Sequence, residues 1–159
     1  MVDYLKTSKV SETMEAAVNQ ASKKKYDLDQ QVGFLLRLAS QRHSTIFQKH
    51  ALENLTPTQF STLIRLSEMG EISQNHLGRI AAMDVATVKG VVDRLKTKGL
   101  VDSRPDQIDK RRAVITLTEK GSALVRDLEV IGKDITQETL SPLTANEQRN
   151  LVNLLRKIS

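Results

Sequence analysis

The spacing of apolar residues predicts a long helix near the beginning of the chain. From Leu28 to Ala51 there is no proline, and the apolar positions fall near intervals of three and four, as on one face of a helix. The segment "VGFLLRLAS" within it is more apolar than a one-sided surface helix requires. We therefore expect this helix to pack on more than one side. The polar residues before it, 1–27, have weak periodicity and predict a partly ordered arm.

Helical spacing returns near the end of the chain and predicts two more helices. Apolar residues recur from Leu124 to Leu140, and Pro142 predicts the end of that helix. The closing segment begins with Thr144 and Glu147, whose spacing is that of a capping box. The last helix should therefore start there and run to the end of the chain.

Residues 56–118, between these regions, combine short helices with two strands. Pro57 suits the first position of a helix, and Gly70 and Gly99 suit positions just past the end of one. After Gly99 the runs "LVDSR" and "AVITL" are of the β type, and Arg104–Arg112 joins them as a hairpin. N-cap residues stand at the starts of the helices in this region and of the helix that follows it: Thr56, Ser73, Asp84 and Thr118.

The order of these elements predicts the fold class. Two helices joined by a tight turn and followed by a β-hairpin form a winged helix-turn-helix. The chain is thus expected to be mainly α with a small β-hairpin wing, an α+β fold. Residues 56–118 would form the winged domain, and residues 28–55 and 119–159 a helical region. These outer helices are too long and too apolar to serve only the core of the small winged domain.

The third short helix, "DVATVKGVVDRLKTKG", has the face that a DNA-reading helix needs. On a helical projection Val88, Val91, Val92 and Leu95 share one sector, and small residues lie opposite, with basic residues on the flanks. An ordinary amphipathic helix with a solvated face is the alternative. Gly90 weakens it, because glycine in an exposed helix interior costs about 1 kcal/mol relative to alanine. Candidate base contacts are Ala86, Thr87, Lys89 and Gly90; candidate phosphate contacts are Ser73, Gln74, Asn75, Arg94, Lys96 and Lys98.

The hairpin tip is crowded with charge and is either a solvated turn or a finger that touches a partner. A wing in this position reaches the flanking minor groove, whose negative potential favours arginine. Asp106 and Asp109 would repel phosphates if they pointed outward. We expect Asp109 to turn inward and brace the wing by pairing with Arg111 or Arg94. The donors available for the minor groove are Lys110, Arg111 and Arg112.

Composition and charge narrow the functional classes. The 159-residue chain has a formal net charge of +5, and residues 86–112 hold eight basic and four acidic side chains, which favours an anionic partner such as nucleic acid. The absence of cysteine excludes thiolate catalysis, disulfides and cysteine-based metal sites. The absence of tryptophan argues against a stacking platform for single strands. No run approaches the roughly 18 apolar residues of a membrane span, and no signal-peptide pattern opens the chain, so a cytoplasmic protein without a membrane partner is expected.

Catalytic, metal and cofactor sites are not expected. The sequence offers no nucleophile–base pairing, no phosphate-cradling glycine loop and no facing pair of carboxylates, so the protein should not be an enzyme. His43 and His50 lie two helical turns apart, too far for one zinc ion without other ligands. We therefore expect neither a metal nor a cofactor.

The motifs together resemble the MarR (multiple antibiotic resistance regulator) family of winged-helix transcription factors. The wing segment "DKRRAVITLTEKG" matches the family's Asp-x-Arg followed by Leu-Thr at Asp109, Arg111 and 117–118. The Asp-Arg-Leu of the reading helix and the Gly-Leu-Val after it match residues 93–95 and 99–101. The resemblance covers about residue 28 to the end of the chain. One departure is Ile108, where some members carry arginine at the wing tip.

The resemblance implies a function and a set of partners. It implies an obligate homodimer, with 28–55 and 119–159 as the dimerisation region, that binds double-stranded DNA at a pseudo-palindromic operator. It also implies a repressor released by a small aromatic anion, of the kind that controls breakdown of benzoate, hydroxycinnamate or nicotinate-type compounds. A winged-helix protein-interaction module without ligand response is the alternative, and Arg37 and Arg42 could simply be solvated or form interchain ion pairs. Candidate effector contacts are Phe34, Arg37, Arg42, His43, Phe47 and Phe60.

Overall fold

The computed structural model describes residues 26–159. These residues divide into two units, the first ending at residue 39 and the second covering residues 40–159. The arm expected over residues 1–27 lies, apart from its last two residues, outside the described part of the chain. Six helices and a three-stranded antiparallel sheet make up the rest, which confirms the predicted fold class.

The first unit contains a short 3-10 helix, Leu28–Gln30, and the start of helix α1, Val32–His50. The prediction of one continuous helix from Leu28 was wrong, because Gln31 adopts an extended conformation between them. The side chain of Asp27 accepts a hydrogen bond from the backbone N–H of Asp29 and so stabilises a local turn instead of the first α-helical turn. Several large apolar side chains of this unit are exposed: Leu28, Val32, Leu35, Leu36 and Leu38.

The winged domain is built from three short helices. Helix α2 spans Pro57–Met69, helix α3 Gln74–Ile80 and helix α4 Val85–Thr97. The predicted N-caps are confirmed: the side chains of Thr56, Ser73 and Asp84 accept backbone N–H groups in the first turns of α2, α3 and α4. Gly70 and Gly99, with φ of 71° and 70°, end the first and third of these helices as expected.

The sheet forms the wing and one wall of the core. Strands β2, Val101–Pro105, and β3, Ala113–Leu117, pair antiparallel as the predicted hairpin. A third strand, β1, Ile72–Ser73, pairs with the other edge of β3 and was not predicted, because two residues are too short to show alternation. The core beneath the sheet consists of fully buried residues: Leu63, Leu66, Leu77, Val88, Val92, Leu95, Leu100, Val101 and Ile115.

Two long helices follow the wing. Helix α5 spans Glu119–Leu140 and is capped by Thr118, and helix α6 spans Ala145–Ile158 and begins with the predicted capping box of Thr144 and Glu147. A small second core joins Ile46 and Phe47 of α1 to Ile135 of α5. Helix α6 buries no residue fully, and Leu154, Leu155 and Ile158 lie exposed on it. Within residues 26–159, no helix has the length and apolar character needed to cross a membrane.

Candidate nucleic-acid interface

Helix α4 is held by its apolar side and leaves its small side free. Val88, Val91, Val92 and Leu95 are buried, as the helical projection predicted. Ala86, Thr87 and Lys89 are exposed, and Gly90 is half-buried. A surface of this kind lets a helix come close to base edges, because little bulk projects from its outer face.

Thr87 and Asp84 form a small hydrogen-bonded unit at the start of α4. The Asp84 carboxylate accepts the backbone N–H of Thr87 at 2.8 Å and its hydroxyl at 2.6 Å. These two bonds lower the pKa of Asp84 below its ordinary value, the bond from the hydroxyl having the larger effect, and so keep the carboxylate ionised. Because the hydroxyl proton of Thr87 is committed to Asp84, the Thr87 hydroxyl can only accept a hydrogen bond from a further partner. Asp84 was expected only as a cap, and sequence reasoning missed its hydroxyl partner.

Gly90 lies against a side chain of its own helix. A Cβ at this position would lie 3.6 to 3.9 Å from the guanidinium of Arg94, an ordinary van der Waals contact. Apart from the nearby backbone of α4 itself, the three heavy atoms nearest to that point all belong to Arg94. The Arg94 side chain is thus folded over Gly90, and alanine there would fit without displacing it. In this position Arg94 does not brace Asp109, which pairs with Arg111 instead.

Two of the basic residues near the end of α4 have different surroundings. Lys96 is exposed. Lys98 instead donates to the backbone carbonyl of Glu53 at 2.6 Å, and Lys120 reaches the Glu53 carboxylate at 3.5 Å. Glu53 has a φ of 52°, a conformation that is uncommon for this residue type, and the two lysines hold it there. Lys98 therefore has a structural partner that its sequence position did not reveal.

The start of α3 and the base of the wing lie side by side. Ser73, Gln74 and Asn75 line a small cleft of about 150 Å³ together with Arg111 and Arg112. The sequence predicted the residues at the start of α3 and the arginines of the wing as two separate sets of DNA contacts. The pairing of β1 with β3 brings the two sets together. Polar donors and guanidinium groups thus share one surface beside α4, which suits contacts to a phosphate backbone.

The tip of the wing is an ordered turn. Asp106 accepts the backbone N–H groups of Ile108 and Asp109 at 2.8 and 3.0 Å. Asp109 accepts the backbone N–H of Arg111 at 3.1 Å and lies 3.4 Å from its Nε. Arg111 is nevertheless almost fully exposed, and Lys110 and Arg112 are exposed as well. Sequence reasoning gave Asp106 no role, although an aspartate two residues before a tip is a known turn signal.

The residues predicted for an effector fall into separate groups. In the first unit the guanidinium of Arg37 lies 5.1 Å from the ring of Phe34. In the second unit Phe47 and Phe60 meet edge to face at 5.6 Å. His43 shares a hydrogen bond with Thr139, and Arg42 donates to the carbonyl of Glu138. These last two side chains therefore tie α1 to the end of α5.

A largely apolar cavity of about 540 Å³ lies between α2, α5 and α6. Phe60 is the one predicted effector contact that lines it; Arg42, His43 and Phe47 do not. Gly132 faces this ring so closely that a Cβ there would lie 3.0 Å from the Cζ atom of Phe60. A glycine in the middle of a long helix was the sequence signal that could have revealed the cavity. Its other lining residues are Ile64, Leu128, Glu129, Lys133, Thr136, Gln137, Leu140 and Gln148, so one acidic and one basic side chain are among them.

Comparisons with known proteins agree with this geometry. The sequence model of the MarR family matches residues 55–113. The chain is 42% identical over 134 residues to the HTH-type transcriptional repressor NicR of Pseudomonas putida, covering 84% of this chain and 85% of NicR. It is also similar to the solved structure of Bordetella bronchiseptica BpsR, whose DNA binding is regulated by 6-hydroxynicotinic acid (40% identity, TM-score 0.80, 84% of this chain and 96% of the other). A mutant of MarR from Escherichia coli, complexed with operator DNA, matches with 28% identity and a TM-score of 0.73 over 80% of this chain and 92% of the other.

Proposed function

The chain belongs to the MarR family and is a transcriptional regulator, and from this premise we propose that it acts as a homodimeric, ligand-released repressor. In this proposal each α4 helix enters a major groove of a pseudo-palindromic operator, and each wing enters the minor groove beside it. The observation that carries the proposal is the outer face of α4, which has small exposed side chains at Ala86 and Thr87 and is bordered by exposed cations.

The contacts divide into those that read bases and those that position the protein. Ala86, Thr87 and Lys89 are exposed and would meet base edges. Gly90 would do so when the Arg94 side chain, which lies against it, turns away to bind a phosphate. The other proposed contacts would bind phosphates or enter the minor groove, and those at the start of α3 share one cleft with two arginines of the wing. These are Ser73, Gln74, Asn75, Arg94, Lys96, Lys110, Arg111 and Arg112.

The exposed apolar side chains of the outer helices support a homodimer. The first unit leaves five large aliphatic residues exposed, and α6 leaves three more. Apolar surface of this extent on a small protein usually marks an interface. A closed two-fold dimer would bury it and would set two α4 helices about one turn of DNA apart.

The cavity beside Phe60 supports a small aromatic effector. Its volume of about 540 Å³ lies within the usual range for ligand pockets, and its walls are mostly apolar with a few polar groups, including Lys133 and Gln148. An aromatic ring would pack against Phe60 and Ile64, and a carboxylate would be attracted by Lys133. The regulation of BpsR by 6-hydroxynicotinic acid supports the same class of ligand, and the repressor name of NicR supports the sign of regulation. Binding to chromosomal operators also implies a cytoplasmic protein.

DNA binding is tested with duplexes selected by the protein from a random pool and measured by fluorescence anisotropy. We expect an affinity for the selected duplex that exceeds non-specific binding by about a thousandfold or more at moderate salt. Equal binding to selected and shuffled duplexes would contradict the proposal and favour a protein-interaction module.

Release by the effector is tested by titrating the protein–operator complex with aromatic acids, using nicotinamide as a neutral control for nicotinate-type acids. The acid should dissociate the complex, and Lys133→Met should weaken this effect without changing DNA affinity. A panel of aromatic acids that neither binds nor dissociates the complex would contradict the effector class.

A further inference from the structure

Ile108 stands at the tip of the wing with almost its whole side chain in water. It is 98% exposed, more than any other large apolar residue among residues 26–159. Such a side chain contributes nothing to the core, and polar residues at the same place would be better solvated. Single exposed apolar residues are common and need no explanation by themselves. The structure of the turn around Ile108 gives reasons to expect a role for this side chain.

Four hydrogen bonds fix the apex on which Ile108 sits. The Asp106 carboxylate holds the N–H groups of Ile108 and Asp109, and the backbone of Arg112 bonds to both Asp106 and Asp109 at 2.8 to 2.9 Å. The two N–H groups, with smaller effects from Arg112 and Arg104, lower the pKa of Asp106, so its carboxylate stays ionised at neutral pH. The backbone that carries Ile108 is therefore held in one conformation, which lowers the entropy cost of inserting the tip into a partner.

The surroundings of Ile108 fit a polyanion with a narrow apolar recess. Lys110, Arg111 and Arg112 are exposed on the same turn, and Asp109 is occupied by Arg111. A protein partner would need a larger apolar patch than one side chain at the end of a hairpin. A minor groove offers phosphates for the cations at its edges and base steps for an apolar wedge between them.

We propose that Ile108 determines specificity by wedging into the minor groove beside each half-site of the operator. The proposal rests on the proposed DNA-binding function and adds what the wing recognises. An apolar wedge partly unstacks the step it enters, and pyrimidine–purine steps such as TA and CA are the easiest to deform. The wing therefore selects a deformable step in the flanking sequence, whereas an arginine at the tip would select a stiff, narrow A-tract.

The test compares wild type, Ile108→Ala, Ile108→Arg and the control Gln107→Ala, which alters the exposed neighbour in the same turn. Each protein is titrated onto the selected operator with either TA or AA at the flanking step. We expect Ile108→Ala to weaken binding to the TA duplex by about tenfold and to lose the preference for TA, with an unchanged salt dependence. Ile108→Arg should prefer the AA duplex and steepen the salt dependence, and Gln107→Ala should stay within about twofold of wild type.

A fluorescent base gives a second readout of the wedge. 2-Aminopurine at the flanking step should brighten when wild type binds and stay dim with Ile108→Ala, because only the wedge unstacks it. The wedge would be overturned if Ile108→Ala kept the full affinity and the preference for TA. It would also be overturned if Gln107→Ala lost as much affinity as Ile108→Ala. Neither result would contradict the proposed function as a DNA-binding regulator. If none of the four proteins bound any duplex selectively, both the wedge and the proposed function would be overturned.

Discussion

Replacing Gly121 by alanine should separate the winged domain from helix α5. A Cβ at this position would lie 2.0 Å from the carbonyl oxygen of Leu100, and real Cβ atoms stay beyond 3.0 Å, so the two backbones must move apart by at least about 1 Å. Three hydrogen bonds lie at this contact: two cross it, and the third caps α5. Thr118 accepts the N–H of Gly121, donates its hydroxyl proton to the carbonyl of Gly99 and donates its own N–H to Leu100.

The cost of Gly121→Ala follows from these contacts. Each of the three hydrogen bonds contributes about 1 kcal/mol, the capping bond included. The better helix propensity of alanine, about 1 kcal/mol, is offset by a comparable strain from forcing the backbones apart. The free energy of unfolding should therefore fall by about 3 kcal/mol, and the Tm by about 6 to 12 °C at fixed protein concentration.

Urea unfolding followed by circular dichroism measures this change, with Gly33→Ala as the matched control. Gly33 lies in helix α1 with no atom within 4 Å of a Cβ built there. The same substitution should stabilise the protein by about 0.5 kcal/mol at that position. A Gly121→Ala protein as stable as wild type would refute the close contact between Leu100 and α5.

Three further predictions concern charged groups. Arg111→Ala should weaken binding to all duplexes alike and reduce the slope of log affinity against log salt by about one; an unchanged slope would exclude a phosphate or groove contact. Lys89→Ala should change preference at one position of each half-site, read by binding to a set of single-base-pair operator variants; uniform weakening would make it a phosphate contact. Hydrogen bonds from His50 and Lys49 lower the pKa of Glu138 below its ordinary 4.5, so its stabilising effect is complete above that value and is lost as the pH falls through the lowered pKa. The Tm of Glu138→Gln should therefore fall less than that of wild type between about pH 6 and about pH 3. If the two plots of Tm against pH were parallel, ionised Glu138 would not be the stabilising group.

Local signals in the sequence predicted most of the fold. Thr56, Thr118 and Thr144 each cap a helix by bonding an N–H three residues ahead, so residue type and spacing are sufficient to place those starts. The buried sector of α4 likewise follows from helical periodicity alone. Strand β1 was missed because it exists only by pairing Ile72 with Ile115, which are far apart in sequence.

The candidate site was predictable in its residues but not in their partners. The pattern of the sequence was sufficient to predict that Ala86 and the cations of the wing are exposed. The bond from Lys98 to Glu53 spans 45 residues, and the cavity beside Phe60 depends on Gly132 of a later helix. Such contacts are set by tertiary packing, which the periodicity of a single segment does not contain.

In the proposed complex, paired chains set two α4 helices into successive major grooves of one operator. Sedimentation and anisotropy with duplexes in which the spacing between the two half-sites is varied test this arrangement. We expect two chains per duplex and an affinity that peaks at about one helical turn, 10 base pairs, and falls sharply when about 5 base pairs are inserted. One chain per duplex, or an affinity independent of the spacing, would contradict it.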